Sequence, residues 1–268
     1  MNAGTLELLA APLRALRRAI LWWSLGLAVT VALTISIWPA FKGASGVSTA
    51  IDQLPTGVVQ AFGLQNFGSP AGFLRGNLYA IFVPLLLAAA AVTLVNGQTA
   101  GEETAGRLEL YLAQPVARRA VFAGRVTAAL VGLVVITAVL LAAQLGSDAV
   151  FDLQINAGYV IATVLLSALL SAVFGGLAVA SAGVGARPPA VLGAGLGVAF
   201  AGVIVASVFP LSPALAPWRH VSPWDWAFGG NPLQQATDLW RFAVLVAAAL
   251  ILAGVGVYWV ARRDAGGA

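Results

Sequence analysis

The sequence predicts an all-α integral membrane protein, a bundle of six transmembrane helices, and three observations carry that prediction. Hydrophobic residues make up 60% of the chain and charged residues only 9%, where a soluble domain carries roughly a quarter charged residues. Mean hydropathy is +0.92. Six apolar runs, about Ile20 to Trp38, Leu78 to Val95, Val126 to Leu145, Gly158 to Ala182, Ala190 to Phe209 and Phe242 to Val260, contain no Asp, Glu, Lys, Arg or His. A helix rises about 1.5 Å per residue, so runs of about 20 residues cross a hydrocarbon core about 30 Å thick. Backbone groups in lipid must bond within their segment or in a closed barrel, and these runs lack the alternating polar positions of barrel strands. No linker separates domains, so residues 1–268 read as one membrane domain.

The basic residues set the expected orientation. Arg14, Arg17 and Arg18 precede the first run, and Arg107, Arg118, Arg119 and Arg125 lie between the second and third. Arg187 separates the fourth and fifth, and Arg262 and Arg263 follow the sixth. Lys42, Arg75, Arg219 and Arg241 fall on the other side. The positive-inside rule then puts both termini in the cytoplasm of a plasma (inner) membrane protein. Trp22, Trp23 and Trp259 at inner ends, and Trp38 and Trp240 at outer ends, fit aromatic girdles at the two interfaces. The pI near 10.1 reflects this topology rather than nucleic-acid binding.

In chain order, residues 1–19 come first. Leu6, Leu9, Leu13, Leu16 and Ile20 share one helical face, with Arg14, Arg17 and Arg18 largely off it. That pattern predicts an interfacial amphipathic helix bent at Pro12. The run behind it is too long for a signal core, and bulky Trp38-Pro39 stands where a cleavage site needs small residues, so it reads as a retained span. The first outer loop, 39–77, is expected to carry a short amphipathic helix through Ile51, Leu54, Val58, Val59 and Phe62. The loop 146–157 is short and holds Asp148 and Asp152, and the loop 210–241 is dense in Trp and Pro.

Between the second and third runs stands GEETAGRLELYLAQPVARRAVFAGR, with Glu102, Glu103 and Glu109 against Arg107, Arg118, Arg119 and Arg125. Glu103 and Arg107 stand four apart with the acid first, the favourable order for a helix-surface pair. Ala105, Leu108 and Leu112 share a face, and Pro115 ends the pattern, so a short amphipathic cytoplasmic helix is expected over about 102–113. A partner's docking surface and a solvated loop anchored to lipid phosphates both fit that pattern.

The residues that are missing narrow the chemistry. There is no cysteine, and His220 is the only histidine. The expectation is no catalytic residue, no metal and no cofactor bound by this chain. Ion-coupled transporters usually place ionisable groups within their spans, and the apolar runs have none. A phosphate-binding loop GxxxxGK[ST] needs a lysine after glycine, and the single lysine, Lys42, follows Phe41. Energy for uphill movement would then come from another chain. An ion-coupled secondary transporter or channel, and a non-transporting membrane anchor or assembly factor, stay open as alternatives. Small residues within the runs, Gly175 with Gly176 and Gly193 with Gly197 in a GxxxG arrangement, suit a tight helix contact, within one subunit or at a dimer seam.

The stretch EETAGRLELYLAQPVARRAVFAGR resembles the segment after the second span in permease subunits of type-two ABC exporters, where a pattern E-E-x-x-G-x-L-E-L-L-L-A-x-P-V-x-R recurs. Glu102, Glu103, Gly106, Leu108, Glu109, Leu110, Leu112, Ala113, Pro115, Val116 and Arg118 match it. Arg107 stands where Thr is common and Tyr111 where Leu is. SPWDWAFGGNPL before the sixth run and YWVARRDA after it are similar to endings of the branch associated with export of polyketide-type antibiotics and other drugs. The resemblance implies a half-transporter, two permease chains around one pathway above two ATP-binding subunits that hold ATP and Mg. In it Glu102, Glu103, Gly106, Arg107, Leu108, Glu109 and Leu112 would form a coupling helix seated on the ATPase. The N-terminal helix would be a second contact. The cargo expected of charge-free spans is hydrophobic or amphipathic: a drug, an antibiotic or a lipid-like molecule.

Overall fold

Every one of the six apolar runs is helical in the computed structural model, which describes residues 3–42, 45–64, 66–105 and 118–265. Span one is the helix Ala3–Ser36. Span two is built from Pro70–Leu74, a π-helical turn Arg75–Tyr79, and the helices Phe82–Gln98 and Ala100–Thr104. Span three is Arg118–Val150, span four Ala157–Gly183, span five Pro188–Ser207 and span six Leu239–Ala265. No strand occurs among the described residues.

Local chemistry sets several of the ends. Asn156 caps span four, its side chain accepting from the Gly158 N–H at 2.8 Å. Gly185, at φ +87°, turns the chain out of the same span in the left-handed region that a side chain rarely adopts. Pro188 stands in the first turn of span five, where a missing N–H costs nothing. The basic N-terminal segment is helical through Pro12 and continuous with span one, rather than a separate element. Within it Leu16 is buried and Leu13 and Ile20 pack against the core, while Arg14, Arg17 and Arg18 are exposed.

Span four is the axis of the bundle, with spans two, three, five and six against it, and span one lies along span three. Polar residues survive inside it by bonding to their own helix: Ser167 Oγ donates to the Thr163 carbonyl at 2.8 Å, and Ser171 Oγ to the Ser167 carbonyl at 2.7 Å. Leu21, Trp22, Leu25 and Leu33 of span one, and Leu250 and Ile251 of span six, face outward and are exposed. A continuous apolar exterior of this kind is what lipid contact requires.

Two features of the loop-bearing end depart from expectation. Ser45–Asp52 and Thr56–Ala61 are two short helices where the sequence predicts one, because Pro55 cannot continue a helix from before it. Trp38, expected in the outer aromatic girdle, and Trp224, within the Trp-rich loop 210–241, are both buried. Trp38 packs 5.3 Å from Phe73, and Phe73 also meets Phe41 and Phe67, so the loop is pinned to spans one and two by an aromatic cluster. Trp224 lies 5.4 Å from Phe174 of span four.

Candidate functional site: the charged corner after span two

Span two does not run smoothly into its charged end. Thr99 adopts φ −114°, ψ −93°, which breaks the helix after Gln98, and Ala100–Thr104 restarts it on a new axis. The corner is tight, since a Cβ on Gly101 would stand 3.1 Å from the Asn96 carbonyl oxygen. This short helix begins two residues before the predicted 102, and a turn at Ala105 ends it. Gly106, Arg107, Leu108, Glu109 and Leu112, and with them the rest of the helix expected over 102–113, lie outside the described residues.

The restart aims the two glutamates back into the bundle. Glu102 Oε2 lies 3.6 Å from Arg125 Nη2 of span three. Arg125 is 5% exposed, and its Nη1 donates to the Gln98 carbonyl at 3.1 Å. A guanidinium this deep needs acceptors, because an uncompensated buried charge costs several kcal/mol. Glu103 Oε1 accepts from Arg118 Nη2 at 3.1 Å and from Arg263 Nη2 at 2.9 Å. One carboxylate oxygen therefore joins the end of span two to the first residue of span three and to the end of span six. Arg263 in turn lies flat over Gly185, where any Cβ would meet its Cζ at 2.9 Å. The chain thus gathers the ends of spans two, three, four and six at one ionic node.

The glycines sort into two groups. A Cβ on Gly175 would stand 3.3 Å from Ala91 of span two, and one on Gly176 would stand 3.0 Å from the Ala249 carbonyl of span six, so this pair serves packing within the chain. Gly193 and Gly197 have nothing within 4 Å and face outward from span five. Gly183 and Gly256, which spacing in the sequence does not single out, make the closest contact. A Cβ on Gly183 would fall 2.6 Å from Gly256 Cα, and one on Gly256 would fall 2.5 Å from the Val179 carbonyl oxygen. Spans four and six cross there backbone to backbone.

Over residues 8–260 the chain matches the family model described as multidrug efflux system permease Rv1217c, C-terminal domain. The chain belongs to that family. No curated protein matches it. The match runs from the N-terminal basic segment into span six, so the charged corner and nearly all of the six spans fall inside it, while Arg263 of the ionic node lies just beyond it. The protein is a multi-pass membrane permease.

At the opposite end of the permease a second polar group appears, joining Tyr79 and Gln144 of the predicted runs to Asp148, which hydropathy had assigned to a loop. Span three continues to Val150 and draws Asp148 into the bundle. Tyr79 OH donates to Gln144 Oε1 at 3.0 Å, and Gln144 Nε2 donates to Asp148 Oδ1 at 2.8 Å. Tyr79 and Gln144 are fully buried. Nearby, His220 is exposed, as a lone histidine in an outer loop suggests, and its Nδ1 lies 2.8 Å from Asp225 Oδ2.

Proposed function

We propose that this permease is the membrane subunit of an ATP-driven exporter, an ABC transporter of the plasma membrane. In this reading two copies, or this chain and a related one, enclose the pathway, and two separate ATP-binding subunits hold the ATP and Mg. The arginine-rich end faces the cytoplasm, and the segment from Ala100 toward Leu112 receives the ATPase. The cargo is hydrophobic or amphipathic, in keeping with the multidrug efflux description of the family. The observation that carries the reading is the node at Glu103. A segment with a five-residue helix and a broken corner is fastened by ion pairs to spans three and six, which is the arrangement a coupling element needs if a push on it is to reach the bundle. The absence of any GxxxxGK[ST] loop from the sequence agrees with a borrowed energy source. The outward-facing Gly193 and Gly197 of span five suit a second permease chain.

The test is reconstitution with the co-expressed ATP-binding protein in proteoliposomes. Gly106→Trp is expected to leave insertion and thermal stability unchanged while efflux falls at least ten-fold and ATP hydrolysis continues. Cargo movement by the chain alone, with no ATPase present, would sink the reading. The ion-coupled alternative has one observation in its favour, the Tyr79–Gln144–Asp148 chain inside the bundle. Efflux that needs a proton gradient and not ATP would decide for it.

A further inference from the structure

A cavity of about 260 Å³ lies at the loop-bearing end, between the top of span two, the end of span five and the segment before span six. Its wall includes Arg75, Trp224 and Gln234. Each of these three residues has a buried nitrogen with no hydrogen-bond partner: Arg75 Nη1, Trp224 Nε1 and Gln234 Nε2. All three atoms are donors. Buried donors are almost always matched in native proteins, so three unmatched donors on residues of one cavity wall favour an occupant that brings acceptors.

The charges in the wall point the same way. Arg75 and Arg219 stand against one carboxylate, Asp225. Asp225 is already engaged, by His220 at 2.8 Å and by Arg219 at 3.9 Å. Among the described residues no carboxylate lies within 4 Å of Arg75. The wall therefore keeps one positive charge, Arg75, that no carboxylate among the described residues pairs. An ionisable group within a span, at this cost, marks a site by default.

The backbone is arranged around that charge. The π-helical turn Arg75–Tyr79, closed by the Ala80 N–H on the Arg75 carbonyl at 2.7 Å, puts Arg75, Tyr79 and Ala80 on the cavity wall together. Such turns recur at functional sites. Gly63, at φ +68°, lays bare backbone on the arginine stem: a Cβ there would stand 3.5 Å from both Cγ and Nε of Arg75.

Size and lining define the ligand further. Pockets that enclose a drug-sized molecule run to roughly 300–1,000 Å³, so this one suits a head group and a few carbons, with the tail outside. Tyr79, Ala206, Phe228 and Leu233 supply apolar wall beside the donors. We propose that this cavity binds the anionic head of an amphipathic molecule, a phosphate or carboxylate on an apolar tail, with Arg75 as its counter-ion. The site stands independently of ATP coupling, since it concerns binding alone.

The experiment is native mass spectrometry of the full chain released from neutral detergent, titrated with decyl phosphate, phosphatidylglycerol, phosphatidylcholine or inorganic phosphate. One copy of decyl phosphate is expected to bind at least ten-fold tighter than phosphatidylcholine. Arg75→Gln is expected to weaken it by about ten-fold or more, the effect of one charged hydrogen bond. Arg75→Lys should keep part of the affinity, and Gln234→Leu should lose several-fold, so a misfolded Arg75→Gln does not close the question. Phosphatidylglycerol displacing decyl phosphate upholds the site and makes its source a bilayer lipid; failure to displace upholds it for a single-tailed amphipath. Equal binding of decyl phosphate to wild type and to all three variants overturns the proposal. So does inorganic phosphate binding as tightly as decyl phosphate, which removes the amphipath.

Discussion

Glu102→Gln is the sharpest perturbation of the charged corner, because it changes one charge and almost no volume. The pair it removes is 3.6 Å long, and the two side chains are 17% and 6% exposed. At an effective dielectric of about 20, charges at that distance attract by about 4–5 kcal/mol. The desolvation of Arg125 stays behind when the carboxylate becomes an amide, so most of that attraction is lost from the folded state, about 3–5 kcal/mol. Each kcal/mol moves the midpoint of a domain near this size by about 2–4 °C, so a loss near 3 kcal/mol lowers it by roughly 6–12 °C. Tryptophan fluorescence during heating in detergent reads this directly. Arg125→Met removes the buried charge instead, and the double variant should recover most of the loss, since apolar or neutral groups of similar shape replace buried ion pairs at little cost. Glu103→Gln is the internal comparison. Its partners Arg118 and Arg263 are 28% and 34% exposed and Glu103 itself 36%, so its two surface pairs are worth less than about 2 kcal/mol together. The reasoning fails if Glu103→Gln destabilises as much as Glu102→Gln, or if the Glu102 and Arg125 substitutions add without coupling.

Three further outcomes follow from the packing. Gly183→Leu forces spans four and six apart and is expected to cost about 1–3 kcal/mol or more in heating experiments, whereas Gly193→Leu, with nothing within 4 Å, stays within about 0.5 kcal/mol. Light scattering of the same Gly193→Leu variant tests the seam: a shift from dimer to monomer at unchanged midpoint is the expected result of a partner chain there. Tyr79→Phe removes the buried bond to Gln144 and should lower stability by about 0.6–1.7 kcal/mol, the range of side-chain bonds between membrane helices; a neutral outcome would mean the chain to Asp148 holds nothing together.

The six spans are legible in the sequence because lipid leaves little choice: a charge-free run of about 20 residues must be a helix. The charged corner is legible for the complementary reason, since Glu102 and Glu103 have no place in hydrocarbon. Their partners are not. Glu103 meets Arg263 across 160 positions of chain, and no local spacing encodes that. The same limit separates the glycines. Gly193 and Gly197 carry the recognisable spacing yet open outward, while Gly183 and Gly256 make the contact from unremarkable positions on different spans. Hydropathy also misplaced Arg75 and Asp148 in loops, because a helix can carry one ionisable group past the edge of its apolar run if neighbours cover it. The burial of Trp38 and Trp224 is hidden likewise: an aromatic near a span end suits an interface, and only the position of Phe73 or Phe174 shows that it is buried.

Span two links the two ends of the molecule, and its backbone says how. It carries Arg75 at one end and Glu102 and Glu103 at the other, over 35 residues, about 50 Å of helix. It is interrupted twice, at Ile81, where φ is −140° and ψ −53°, and at Thr99. A displacement of Ala100–Thr104 therefore does not travel straight up its own helix, because the Thr99 corner can absorb it. The ion pairs of Glu103 offer the stiffer route, into Arg118 at the start of span three and Arg263 at the end of span six. Span six is locked to span four at Gly183 and Gly256 with no side chain between them, so a force that enters through Arg263 moves spans four and six as one body. Span four carries Phe174 against Trp224, in the wall of the far cavity. If ATP moves this permease, the path from the charged corner to the Arg75 cavity runs through spans six and four, and a substitution that loosens the Gly183–Gly256 crossing should uncouple the two ends even though it touches neither.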